Sequence, residues 1–137
     1  MSKNAEHRKV EFKVKRQADP ESVSHYDTFQ VPYEAGMNVI SLLMATRQYP
    51  QTTEGKATEP VSFECACLEE VCGSCSMLVN GRPCQSCTAL IESCIEETGS
   101  TTITLAPFTK FPLIRDLYVD RTRMFEALKK VRAWNSI

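Results

Sequence analysis

Seven cysteines, Cys65, Cys67, Cys72, Cys75, Cys84, Cys87 and Cys94, crowd into one stretch of a 137-residue chain, and none lies elsewhere. The first residues, Met1-Ser2-Lys3-Asn4-Ala5-Glu6-His7, lead into no apolar export signal. An odd number of thiols without such a signal points to metal or redox chemistry rather than a disulfide framework. Two four-thiolate schemes fit the spacing. Cys67-x4-Cys72-x2-Cys75, closed by Cys87, has the plant-type [2Fe–2S] pattern. Cys72-x2-Cys75 followed by Cys84-x2-Cys87 makes two knuckles for a tetrahedral zinc ion. The spacer between those knuckles is shorter than the usual ~12–20 residues, and local context favours the first scheme. Gly73 lets the chain turn closely behind Cys72. Ser74 and Ser76 are small hydroxyl donors for sulfur. Asn80-Gly81 predicts a type I′ hairpin that brings Cys87 back to the loop.

Other thiol chemistries fit less well. Cys72-Gly73-Ser74-Cys75 has the thioredoxin spacing, yet Met77-Leu78-Val79 reads as strand where a helix is needed to activate the thiol. No histidine follows Cys75, which excludes haem attachment, and His7 and His25 lie far from the cysteines, as surface residues. Cys65, in phase with Val61 and Phe63, reads as a small buried hydrophobe. Cys94 follows Leu90 and Ile91 at helical spacing and reads as core. Cys84 reads as packing, with a rival-ligand role left open.

Net charge is −1, which excludes binding nucleic acid through bulk basicity. No apolar run approaches the roughly 20 residues of a membrane helix. Charge is nonetheless segregated: the cysteine-bearing stretch 54–97 holds eight glutamates against Lys56 and Arg82, whereas 1–16 and 121–137 are basic. The pattern predicts a small α+β unit. Val10, Phe12 and Val14 alternate with charged residues as a strand, paired in a hairpin with a second strand through Phe29 and Val31 that ends at Pro32. Asn38 caps a helix over 39–48 with Ile40, Leu43 and Met44 on one face, closed by Pro50. Residues 102–105 form another strand, and Asp120 caps a last helix with Met124, Leu128 and Val131 sharing a face.

The run from Cys67 through Glu69-Glu70-Val71-Cys72-Gly73-Ser74-Cys75 to Asn80-Gly81-Arg82-Pro83-Cys84 and Cys87 resembles the iron–sulfur subunit of succinate dehydrogenase and fumarate reductase. So do Phe111-Pro112-Leu113-Ile114-Arg115-Asp116-Leu117, Val119-Asp120-Arg121 and the helix ending Lys129-Lys130-Val131-Arg132-Ala133-Trp134. The resemblance runs from about Val10 to Trp134. It implies a β-grasp, ferredoxin-like domain over 8–106, a linker and helix over 107–137, and Cys67, Cys72, Cys75 and Cys87 as ligands of a [2Fe–2S] cluster. It implies no substrate-converting residue on this chain. The cluster would accept electrons from the FAD of a flavoprotein subunit; a stand-alone [2Fe–2S] ferredoxin and a zinc-binding interaction module using Cys72, Cys75, Cys84 and Cys87 are the alternatives. A second domain, with [4Fe–4S] and [3Fe–4S] clusters, would pass the electrons to quinone at a cytochrome b-type membrane anchor. Such a subunit lies peripherally on the cytoplasmic side of the cell membrane without inserting, and the missing transit peptide points to a bacterial source. The chain stops at Ile137, before that second domain, so this stretch alone is expected to hold one cluster. The basic C-terminal segment, with Phe108, Phe111, Leu113, Leu117, Tyr118 and Trp134, is expected to be a docking surface for the flavoprotein or, preferentially, the following domain.

Overall fold

The alternation of Val10, Phe12 and Val14 becomes strand β1 (Lys9–Arg16), with all three side chains buried. A computed structural model describes residues 8–134; His7 lies outside them. Strand β2 (His25–Pro32) pairs antiparallel with β1, setting Phe12 opposite Phe29 with ring centroids 5.6 Å apart. Helix α1 (Val39–Gln48) follows. Asn38 closes a capping box at its start, its Oδ1 accepting the Ser41 N–H at 2.9 Å. The hairpin β3 (Ser76–Val79) and β4 (Arg82–Gln85) turns through Asn80 and Gly81, whose φ values of 51° and 78° are those of a type I′ turn. Helix α2 (Ile91–Thr98) ends at Gly99 in the left-handed conformation. Strand β5 (Thr102–Ala106) then enters the sheet between β1 and β3.

The five strands lie in the order β2-β1-β5-β3-β4, with β1 and β5 parallel and the other pairs antiparallel. With three helices, this is a mixed α+β fold. One core joins Phe12, Phe29, Ile103 and Leu105 of the sheet to Val39, Leu42 and Leu43 of α1 and Ile91 of α2. Among the described residues no helix is long and apolar enough to cross a membrane.

Two local expectations need correction. Met44 does not share the buried face of α1: it is 44% exposed, and Val39, Leu42 and Thr46 are buried beside Ile40 and Leu43. The buried arc is centred between Val39 and Leu43, and Met44 falls on its outer flank. The last helix, α3 (Thr122–Lys130), has Arg121 rather than Asp120 at its N-cap. Asp120 Oδ1 still accepts the Thr122 N–H at 2.8 Å, an Asx turn one residue earlier. No side chain of α3 is fully buried, as a docking surface would have it: Met124 is half-buried beside the cysteine loop, and Phe125 and Leu128 are exposed.

Between β5 and α3 the chain forms a short hairpin that the sequence pattern did not announce, β6 (Leu113–Arg115) and β7 (Tyr118–Val119). Asp116, at its turn, has φ 48° and is almost fully buried. Its carboxylate accepts the N–H groups of Gln17 and Ser62, both at 3.0 Å, and lies 3.1 Å from Arg16 Nε. Arg16 is itself buried and pairs with Asp27 at 3.0 Å. This charge network fastens the hairpin to the end of β1 and β2 where residues 17–24 connect the two strands.

Candidate metal centre

The segment 65–75 has no regular structure, yet its backbone is closely specified. Leu68, Glu70 and Gly73 take φ values of 58°, 62° and 74°. For the first two this conformation costs roughly 1–2 kcal/mol each. The return on that strain is orientation, because the turns direct the N–H groups of Glu69, Val71 and Cys72 at Cys67 Sγ, at 3.4, 3.4 and 3.3 Å. Nothing in the sequence marks Leu68 or Glu70 for positive φ, and only Gly73 was readable.

The loop brings Cys67 and Cys72 together at its exposed end. The Cys72 thiol is lowered to about 6, first by the Ser74 hydroxyl, whose Oγ lies 3.1 Å from its Sγ, and then by N–H groups and Cys67. At the inner end, Cys75 and Cys87 form a second, buried pair. Burial raises the Cys75 thiol, against the opposing effect of the Cys87 N–H. The hairpin supplies this closure, since Cys87 follows β4 and the Ser86 N–H donates to the Cys75 carbonyl at 3.3 Å.

The remaining thiols are placed differently. Cys84 stands opposite Met77 in the hairpin register and is half-buried beside the cavity that Cys94 also lines. Cys65 is half-buried against the core rather than fully buried, and Cys94 is buried in it. His25 is exposed beside Asp27 at 3.4 Å, remote from the loop. Among the described residues no three metal-ligating side chains converge as a preformed mononuclear site requires.

A cavity of about 180 Å³ opens beside the loop, lined by Cys72, Gly73 and Ser74 on one side and by Phe108, Phe111, Leu117 and Arg121 on the other. Phe108 and Phe111 stack with centroids 6.2 Å apart. Arg121 pairs with Glu64 at 3.0 Å, which ties the start of α3 to the segment leading into the cysteine loop. The sequence named the aromatic residues but gave no sign of the Arg121–Glu64 pair.

Residues 11–126 match the profile of the family described as the 2Fe-2S iron-sulfur cluster binding domain. The chain belongs to that family. As a 2Fe-2S iron-sulfur cluster binding domain it carries a [2Fe–2S] cluster. It is 47% identical over 130 residues to the succinate dehydrogenase iron-sulfur subunit of Bacillus subtilis (strain 168), a match covering 95% of this chain and 49% of that protein. It is 31% identical over 121 residues to the fumarate reductase iron-sulfur subunit of Wolinella succinogenes, covering 85% and 46% respectively. Among solved structures it resembles a chain of the Mycobacterium smegmatis Sdh1 complex in the apo form, with TM-score 0.66 and 26% identity over 93% of this chain and 47% of that one. The chain thus spans about half the length of the relatives it matches.

The residues present suit the cluster of this family. The thiols group two and two, as a two-iron centre with a pair of thiolates per iron needs. Three N–H groups already point at sulfur. Ser86 Oγ, fully buried next to Cys87, has no hydrogen-bond partner among the described residues, so its hydroxyl is available to donate one.

Proposed function

We propose that the chain is the electron-entry module of a succinate:quinone oxidoreductase, with Cys67, Cys72, Cys75 and Cys87 as the cluster ligands. The observation that carries this reading is the two-and-two grouping of those four thiols inside a chain of this family. The cluster supplies one-electron transfer, and the work of the protein is to hold and tune it. Cys67 and Cys72 present one end at the surface, flanked by exposed Leu68 and Val71 and by Glu69 and Glu70. Such a loop suits contact with the FAD-bearing flavoprotein subunit. Backbone N–H groups and the Ser74 hydroxyl offset negative charge on sulfur and so favour the reduced state. The nearby glutamates oppose it, weakly because solvent screens them.

On the same reading, the five-stranded sheet packed on α1 is a β-grasp domain over 8–106. Residues 107–137 are the linker and helix toward a following domain with [4Fe–4S] and [3Fe–4S] clusters, which connects to a cytochrome b-type membrane anchor. The complex lies peripherally on the cytoplasmic side of the membrane. Exposed Phe125, Leu128, Val131 and Trp134 on and after α3 support a surface that the following domain covers.

The test mixes the cluster-loaded chain with a flavoprotein subunit of a related succinate dehydrogenase and adds succinate anaerobically. Bleaching of the cluster's visible absorption at a rate set by flavoprotein concentration is the expected result. A cluster that dithionite reduces but succinate with flavoprotein leaves oxidised would refute the assignment.

A further inference from the structure

Of the three thiols outside the cluster reading, two line one cavity. Cys84, on β4, and Cys94, on α2, both line a cavity of about 160 Å³ between the β3–β4 hairpin and the helix. Val79, Ala89 and Leu90 make part of its wall apolar. At its rim, the side chains of Arg82 and Glu97 pair across from hairpin to helix. A cavity of this size accommodates a benzene-sized group. Cys94 is 8% exposed and Cys84 is half-buried, and both line this one opening.

We propose that Cys84 and Cys94 form a dithiol site that captures a soft, thiophilic centre able to bond two thiolates, of the class of trivalent arsenic. Soft ligands select soft centres, and here two thiols on separate elements of the fold line one cavity. Burial raises both thiols, and charge on Cys94 raises Cys84 further. Each alone is therefore a slow nucleophile at neutral pH, whereas a centre that forms two bonds at once gains from the pair. With an organoarsenic oxide, each thiol loses its proton as an As–S bond forms. The oxygen leaves as one water, and no electrons are transferred. Because Cys84 lies three residues before Cys87 on the same arm of the hairpin, occupation of this site also loads the segment carrying a proposed cluster ligand.

The experiment treats the cluster-loaded chain with phenylarsine oxide and reads adducts by native mass spectrometry, with proteolytic mapping of the modified pair. One adduct per chain is expected, with peptides containing Cys84 and Cys94 joined through arsenic and release by a small dithiol. Cys84→Ser and Cys94→Ser should each abolish it, and Cys65→Ser should retain it. Visible absorption confirms that each variant still holds its cluster. If one does not, the mapping on the unaltered chain decides alone. No adduct, or an adduct that survives both substitutions, would show that the two thiols only fill the core. An adduct mapped to Cys67, Cys72, Cys75 or Cys87 overturns the dithiol site and separately challenges the ligand assignment.

Discussion

Replacing Asp116 by Ala removes the carboxylate that fastens the β6–β7 hairpin to the sheet, and the structure sets the size of the effect. The side chain is 2% exposed and accepts two backbone N–H groups at 3.0 Å, from Gln17 and Ser62. Each N–H left unpaired and buried costs about 1–3 kcal/mol. Arg16, 5% exposed, loses one of its two carboxylates, Asp27 remaining at 3.0 Å. Removing a whole partner from a buried pair costs about 3–5 kcal/mol, so losing half of this one belongs below that range. These terms overlap because the groups are neighbours, and we expect a total near 4 kcal/mol. Urea denaturation of the cluster-loaded chain, followed by far-ultraviolet circular dichroism, measures it. Asp116→Asn, which keeps one acceptor oxygen, should lose less. A loss under about 1 kcal/mol for Asp116→Ala would refute the claim that this network anchors the hairpin.

Four further outcomes follow from the same geometry. Asn38→Ala breaks the capping box of α1 and should cost about 1 kcal/mol in the same denaturation assay. Glu70→Gly relieves a left-handed residue, so the chain should gain up to about 1 kcal/mol, read as a higher denaturation midpoint. Ser74→Ala removes the hydroxyl 3.1 Å from Cys72 Sγ and should lower the reduction potential in a spectroelectrochemical titration, while Ser93→Ala, distant from the loop, should not. Hydrogen bonding from Tyr33, and then from the Gly36 N–H, holds the Glu92 carboxyl below its ordinary 4.5. A depressed carboxyl contributes stability that is full above its unfolded value and is lost as pH falls through the folded one. Stability should therefore decline with acid below about 4.5, and Tyr33→Phe should make that decline shallower, as pH-resolved denaturation midpoints will report.

What could be read in advance was whatever local pattern dictates. The capped helix at Asn38, the Asn80-Gly81 turn and the strand at Val10–Val14 each follow from residue type and spacing over a few positions, and they lie where expected. The unread features are those decided across the chain. Asp116 is far in sequence from Arg16 and Asp27, and nothing local marks these surface-type residues for a shared network. Met44 has the right spacing for the core face of α1 but sits on its flank, because the sheet lies against the neighbouring arc. At the metal centre the spacing of the cysteines nominated the ligands. The positive φ of Leu68 and Glu70, which aims N–H groups at Cys67, is imposed by the loop as a whole. The Arg121–Glu64 pair was hidden for the same reason.

The central claim is that Cys67, Cys72, Cys75 and Cys87 hold the [2Fe–2S] cluster. Metal analysis with EPR of the dithionite-reduced chain tests it most directly, on the unaltered protein and on Cys67→Ser, Cys84→Ser and Cys87→Ser. The account predicts two irons per chain and a reduced-state signal that Cys84→Ser preserves and the other two abolish. Zinc in place of iron, or a cluster that survives Cys67→Ser and is lost in Cys84→Ser, would contradict it.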